Sequence, residues 1–253
     1  MKLQAARSIY RYETVRLFRV IVQSAITPII STSLYFIVLG QMVGSAMHEM
    51  NGVDFMAYIV PGLIVLTVLT ESVANASFGI YLPRYTGAIY EILAAPIGAL
   101  EVVIGHLAAA ATKSVLIGLV ILVTARFFVP FEIHHPFVAA GILLLGAVSF
   151  CAVGFVVGIM ANSIEQLQVA PFLVITPLTI LGGAFYSINR LSEPWRSLAL
   201  LNPTAYFVEG LRWSFYGRSD IPISNSMTVC GACLAISLSI IALIFRLQYR
   251  LRS

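Results

Sequence analysis

Residues 136–160 read PFVAAGILLLGAVSFCAVGFVVGIM, and no Asp, Glu, Lys or Arg occurs anywhere between Glu132 and Glu165. A helix that crosses the hydrocarbon core of a bilayer needs about 20 mostly apolar residues. This stretch supplies them with room to spare. Three more charge-free runs lie between Arg19 and Glu49, between Glu165 and Arg190, and between Asp220 and Arg246. Two less clean apolar stretches fall near 55–76 and 99–125. The sequence therefore predicts an all-α, polytopic membrane protein with six transmembrane helices, at about 22–44, 55–76, 99–125, 136–160, 166–187 and 224–246.

Composition agrees with that reading. Of 253 residues, 59% are hydrophobic and only 10% charged, and the mean hydropathy is +0.94. An ordinary soluble domain is about a quarter charged. A soluble enzyme, a nucleic-acid binder and a disordered tail are thereby excluded as first readings. The length fits one domain, 1–253. The net charge of +4 follows from topology. Lys2, Arg7, Arg11, Arg16 and Arg19 precede the first span, and Arg246, Arg250 and Arg252 follow the last. Lys and Arg collect on the cytoplasmic side, so both termini are expected in the cytoplasm, as an even number of spans requires. Arg190, Arg196, Arg212 and Arg218 in the outer segment 188–222 pull the other way. The first helix usually dominates orientation. The N-terminal apolar stretch is far longer than the 7–15-residue core of a secretory signal, so no such signal is expected.

Three segments outside the spans carry information. Within 1–21, Leu3, Ala6, Tyr10, Leu17 and Ile21 share one helical face, with Arg7, Arg11, Arg16 and Arg19 off it. This predicts a basic amphipathic helix in the cytoplasmic headgroup layer. The loop 77–98, SFGIYLPRYTGAIYEILAAPIG, is interrupted by Pro83 and Gly87, and 88–95 then reads as a short helix ended by Pro96. Its stripe of Ile89, Ile92 and Leu93 leaves Arg84 and Glu91 on the wet side. An exposed apolar stripe should dock, either under its own bundle or in the groove of a soluble partner. The third segment, 182–222, opens with Gly182-Gly183 and holds both tryptophans and many aromatics, Phe185 and Tyr186 among them. Pro194 and Pro203 begin runs too short to span, 195–201 and 204–216. They predict two short re-entrant helices joined at Asn202-Pro203.

Motifs for chemistry are sparse. The phosphate-cradling pattern GxxxxGK[ST] is absent, as are HExxH and GxSxG. No cofactor or metal is expected on this chain. His134-His135 reads as interfacial, and Cys230-Gly-Ala-Cys233, with Cys151, as small residues packing helix on helix. Asn75-Ala76-Ser77 fits a glycosylation triplet on the wrong side of the membrane. Glu71 and Lys113 stand inside spans, where an ionisable group costs roughly 2.5–3.5 kcal/mol on insertion scales. With the span limits above, their depths differ by about 13 Å, too far for a direct pair. A later start to the third span would permit one. Packing glue and lining of a polar path both remain open.

Together the pieces resemble the membrane subunits of type-2 ABC exporters, which include drug, lipo-oligosaccharide and polysaccharide export permeases. The resemblance covers the whole chain, and the likeness extends to a small enterobacterial-type inner-membrane subgroup. It rests on Pro61-Gly62-Leu63, on Tyr90-Glu91-Ile92-Leu93-Ala94-Ala95-Pro96, on the run Pro177–Ser187, and on Leu201-Asn202-Pro203 followed by Gly210-Leu211-Arg212. It implies a bacterial inner-membrane permease, without enzymatic activity, that pairs with a second copy in lipid. It also implies two separate cytoplasmic ATPase subunits that bind ATP and Mg, and outward export. By the same resemblance 84–96 is the coupling helix, with Arg84, Tyr90, Glu91, Ile92, Leu93 and Pro96 as contacts. Arg7, Tyr10, Arg11 and Arg16 then mark the interfacial helix. The competing reading is a non-transporting membrane scaffold or assembly factor.

Overall fold

The computed structural model describes residues 3–42, 49–87 and 98–246. Six helices are long and apolar enough to cross a membrane, and they build an all-α polytopic membrane protein. In chain order the helices are α1 (Leu3–Phe18), α2 (Ile21–Met42), α3 (Phe55–Tyr85), α4 (Ala99–Phe128), α5 (Pro136–Met160), α6 (Ile164–Val169) and α7 (Thr176–Leu181). Then come α8 (Trp195–Leu201), α9 (Pro203–Tyr216) and α10 (Ile223–Arg246). The spans are α2, α3, α4, α5, the composite Ile164–Leu181, and α10. One element was not foreseen, an antiparallel hairpin of Glu49–Met50 and Val53–Asp54. Asn51 and Gly52, both at positive φ, make its two-residue turn, as the twist of such hairpins requires.

Helix α3 is the central post, buried along most of its length, and it packs most extensively on α5. Lipid offers no hydrophobic drive for helices to associate, so close contact depends on small residues. On α5 these are Gly146, Ala147, Cys151 and Gly154, all buried. A Cβ at Gly154 would collide with the Val73 backbone carbonyl of α3. Cys151 is a buried free thiol in that stripe, as the packing reading anticipated. By contrast α2 and α10 expose most of their surface, including Val22, Ile26, Ile30 and Leu34 on α2 and Ile236, Ile240 and Leu243 on α10.

Two expected boundaries are corrected. The second span does not stop at 76, nor does Pro83 break it: α3 runs on to Tyr85. Its last turn is held by tertiary bonds, with Arg84 donating to the carbonyls of Ile159 and Ala161 and Tyr81 to that of Asn162. The fifth span ends at Leu181 rather than 187, because Gly183, at φ +85°, turns the chain out of the helix. A π-helical stretch, Ala170–Ile175, interrupts this span between its two α-helical halves. There the amide of Thr176 bonds the Pro171 carbonyl five residues back.

Gly154→Val would overpack the α3–α5 contact and cost about 1–3 kcal/mol. The check is the apparent melting temperature of the detergent-solubilised chain, which should fall by several degrees; an unchanged value would refute this packing.

Candidate functional site

The lengthened α3 changes where Glu71 sits. Glu71 lies 14 residues from the end of α3 and Lys113 lies 14 from the start of α4, about 21 Å from each helix end. Their depths therefore match, and the expected offset disappears. They still form no ion pair. Lys113 Nζ donates to Asn75 Oδ1 at 2.9 Å and to Ser24 Oγ at 2.9 Å. Asn75 Nδ2 in turn donates to Glu71 Oε2 at 3.2 Å and to Ser114 Oγ at 3.3 Å. Asn75 thus bridges the two charges. Sequence reading considered it only as part of a glycosylation triplet; its position four residues after Glu71 on one helical face was the available signal.

Glu71 also faces a groove of about 270 Å³ between α2, α3 and the fifth span. Its polar lining is Thr27, Ser31, Thr32, Thr67, Thr70 and Thr176. Tyr35, Leu63, Leu66 and Phe172 form much of the apolar lining. Phe172, Leu173 and Val174 on the π-helical stretch are exposed. Local widening of this kind is frequent at functional sites.

The N-terminal helix keeps one face packed and a basic face outward, but it ends at Phe18, so Ile21 opens the first span instead of completing the apolar face. Ala6 and Leu17 are buried while Arg7, Arg11 and Arg19 are exposed. The apolar face rests along α4, where Tyr10 meets Thr112 at 3.4 Å. Glu13 is buried on that same face, paired with Arg16 at 2.6 Å and 3.7 Å from His106 Nε2. Burial pushes its carboxyl above the usual range, and Arg16 pulls part of the way back.

The outer segment contains the two short helices expected of it. Asn202 caps α9 through its side-chain oxygen, which accepts from Thr204 N at 3.0 Å. Pro203 takes the first helical position, where its missing N–H costs nothing. Asn202 and Thr204 both donate to the carbonyl of Leu178, near the end of α7. Tyr186 donates to the Leu181 carbonyl at 2.8 Å, and Phe185 packs its ring 5.4 Å from that of Tyr35. Gly182 and Gly183 are buried where the chain leaves α7. A Cβ at Gly62 would overlap the Ala184 backbone, so α3 passes directly against this turn.

Beneath the turn lies a buried charge pair that sequence reading missed. Arg212 is 1% exposed and Glu209 0%, and they are ion-paired. Arg212 also donates to the Gly183 carbonyl at 2.7 Å and lies 3.9 Å above the ring of Tyr58. The other Glu209 oxygen accepts from Asp220 N at 2.6 Å. Burial pushes the Glu209 carboxyl up, and Arg212 counters it. Asp220 gathers Ser187, Asn189 and Asn51, tying the β-hairpin to the segment. The three-residue spacing of Glu209 and Arg212 was the legible signal.

Among the coupling candidates, Arg84 sits on the last turn of α3 with its guanidinium on α5-end carbonyls, as above. Tyr90, Glu91, Ile92, Leu93 and Pro96 lie outside the described residues. His134 and His135 pin the α4–α5 link to the end of α9: their amides donate to Phe215 and Ser214 carbonyls at 3.1 and 2.8 Å. The His135 ring stacks on Trp213 at 4.6 Å. No group of three or more metal-ligating side chains occurs among the described residues.

Comparison with known proteins gives a consistent result. The sequence profile of the ABC-2 type transporter family matches residues 4–216. The chain is 35% identical over 225 residues to the inner membrane transport permease YadH of Escherichia coli K12, covering 89% of this chain and 88% of that protein. It is 25% identical over 220 residues to nodulation protein J of Neorhizobium galegae, covering 86% of this chain and 83% of the relative. Against nodulation protein J of Rhizobium meliloti it is 26% identical over 180 residues, covering 71% of this chain and 69% of the relative.

Arg212→Met alone would strand a buried carboxylate and cost about 3–5 kcal/mol, whereas removing both charges often costs far less. The double variant Glu209→Gln/Arg212→Met should therefore melt above Arg212→Met when both are heated in detergent. A double variant that melts lower would show that the two side chains act independently.

Proposed function

Because this chain belongs to the ABC-2 type transporter family, a membrane permease family, we propose that it forms the transmembrane path of an ATP-driven bacterial exporter. In this reading two copies sit side by side in the inner membrane with both termini in the cytoplasm. Two separate ATPase subunits dock from below and bind ATP and Mg. The chain itself contributes no nucleotide chemistry, in keeping with a sequence that lacks a phosphate-cradling loop.

The observation that carries the proposal is the open polar groove. Glu71 and six Ser and Thr residues line a recess that reaches the outside of the bundle between α2 and the fifth span. In hydrocarbon such a surface is costly, so it requires cover. A second copy apposed across α2 and the fifth span encloses it and turns two half-grooves into one path. The exposed faces of α2 and of the π-helical stretch supply the apolar contact.

Motion reaches this path through the loop between α3 and α4. Residues 88–97 connect the inner ends of the two helices that carry Glu71, Asn75 and Lys113. Closure of the ATPases on ATP would shift the loop, and with it α3 and α4 as levers. The groove would then open toward the outer segment, giving export. The N-terminal helix, laid along α4 where Glu13 meets His106 and Tyr10 meets Thr112, offers the ATPase a second, basic surface at Arg7, Arg11 and Arg19.

The test is association. Glu91→Arg and Leu93→Asp should each abolish co-purification of a partner ABC ATPase co-expressed with this chain, while membrane insertion and dimer formation persist. Undiminished co-purification in both variants would contradict the coupling assignment.

A further inference from the structure

Resting on the reading of the groove as the export path, we infer that Glu71 selects substrates carrying a protonated amine on an apolar tail. The inference comes from which hydrogen-bonding groups the groove presents and which it hides.

Glu71 can accept about four hydrogen bonds. Only one is filled: Oε2 accepts from Asn75 at 3.2 Å, and Oε1 has no partner among the described residues. The nearby cation does not fill the vacancy. Lys113 is 3% exposed, with its ammonium held behind Asn75 by Asn75 itself and Ser24. It forms no ion pair within 4.0 Å among the described residues. The negative end of this cluster therefore faces the groove, and the positive end faces the packed helices.

Two neighbouring hydroxyls add to the same polarity. Thr70 Oγ1 donates its proton to the Leu66 carbonyl at 2.7 Å, and Thr176 Oγ1 donates to the Pro171 carbonyl at 3.0 Å. Both then present only lone pairs to the space between them. The second of these orientations depends on the π-helical stretch, which brings the Pro171 carbonyl within reach of Thr176. The fixed part of the polar lining is thus built of acceptors. A group that matches it carries several N–H donors and a positive charge. An anion meets repulsion from Glu71, and no Lys or Arg among the described residues lines the groove. A neutral polyol finds acceptors but no countercharge.

The rest of the lining sets the remainder of the class. Leu63, Leu66, Phe172 and the ring of Tyr35 surround the polar strip, and burial of an alkyl or aromatic tail against them is favourable because it removes apolar surface from water. The cavity of about 270 Å³ holds a head group and part of such a tail. A primary ammonium on a medium-length chain satisfies both halves of the site.

The experiment uses the full chain in nanodiscs without ATPase or nucleotide, so that its outcome is independent of the association test above. A diazirine-tailed octylammonium is photo-crosslinked, and the labelled peptides are mapped by mass spectrometry. Competition is run with octylammonium, octyl sulfate and octyl glucoside below their micellar concentrations. Labelling should fall within 27–35, 63–74 or 172–176, and octylammonium should compete at concentrations at least tenfold below the other two. Glu71→Gln should abolish that preference and Glu71→Asp retain it. Labelling confined to other segments, equal competition by all three head groups, or a Glu71→Gln chain with the preference intact would each overturn the inference. If Glu71→Gln does not elute as the folded species, the head-group ratio of the unaltered chain decides the matter alone.

Discussion

Arg212 holding the carbonyl of Gly183 is the contact on which the outer half of this structure depends. A chain in lipid must satisfy its backbone polar groups internally, and irregular backbone at depth survives only where protein surrounds it. The fifth span stops short at Leu181, which leaves the carbonyls at its end open to donors from outside the helix. Asn202 and Thr204 take the Leu178 carbonyl, Tyr186 takes that of Leu181, and Arg212 takes that of Gly183. Each donor belongs to the segment that follows the break. That segment can therefore fold only against the helix end that it completes. The guanidinium is tolerated there because Glu209 neutralises it and the Tyr58 ring covers it.

The same rule governs the membrane interior. Glu71 and Lys113 were separately costly in the sequence and are jointly affordable in the structure, because Asn75 links them. Yet the cluster is satisfied asymmetrically. Its cation is enclosed by α2, α3 and α4, while its anion borders an open groove. A purely structural cluster has no need of an exposed end. That asymmetry, together with a hydroxyl lining that would be costly against lipid, gives the groove its functional reading. Membership of the ABC-2 type family is the context in which we propose that such a groove conducts a substrate.

Much of the architecture was legible from residue order. Charge-free runs located four of the six spans and apolar stretches with a few charges the other two, and Pro136–Met160 was read to the residue because a proline opens it and polar residues close it. Pro194, Asn202 and Pro203 marked the two short helices, since caps are local chemistry. What escaped was decided by contacts between distant segments. Pro83 reads as a stop, but Arg84 and Tyr81 anchor the last turn of α3 to the end of α5. The error shifted the apparent depth of Glu71 and concealed its match with Lys113. Glu13 and His106 look like interfacial polar residues until α1 meets α4, and the Glu209–Arg212 pair looks like an exposed helix pair until Gly183 and Tyr58 close over it. The coupling candidates Tyr90, Glu91, Ile92, Leu93 and Pro96 rest on the sequence and the family alone.

The account requires the inner ends of α3 and α4 to face the cytoplasm, where an ATPase can reach them. Thr86 is exposed one residue beyond α3. In a chain with Cys151, Cys230 and Cys233 replaced by Ala, Thr86→Cys can be probed with a membrane-impermeant maleimide. Labelling in inverted inner-membrane vesicles, with protection in intact spheroplasts, is the result predicted here. Labelling of intact spheroplasts from outside would place the loop on the wrong face and contradict the account.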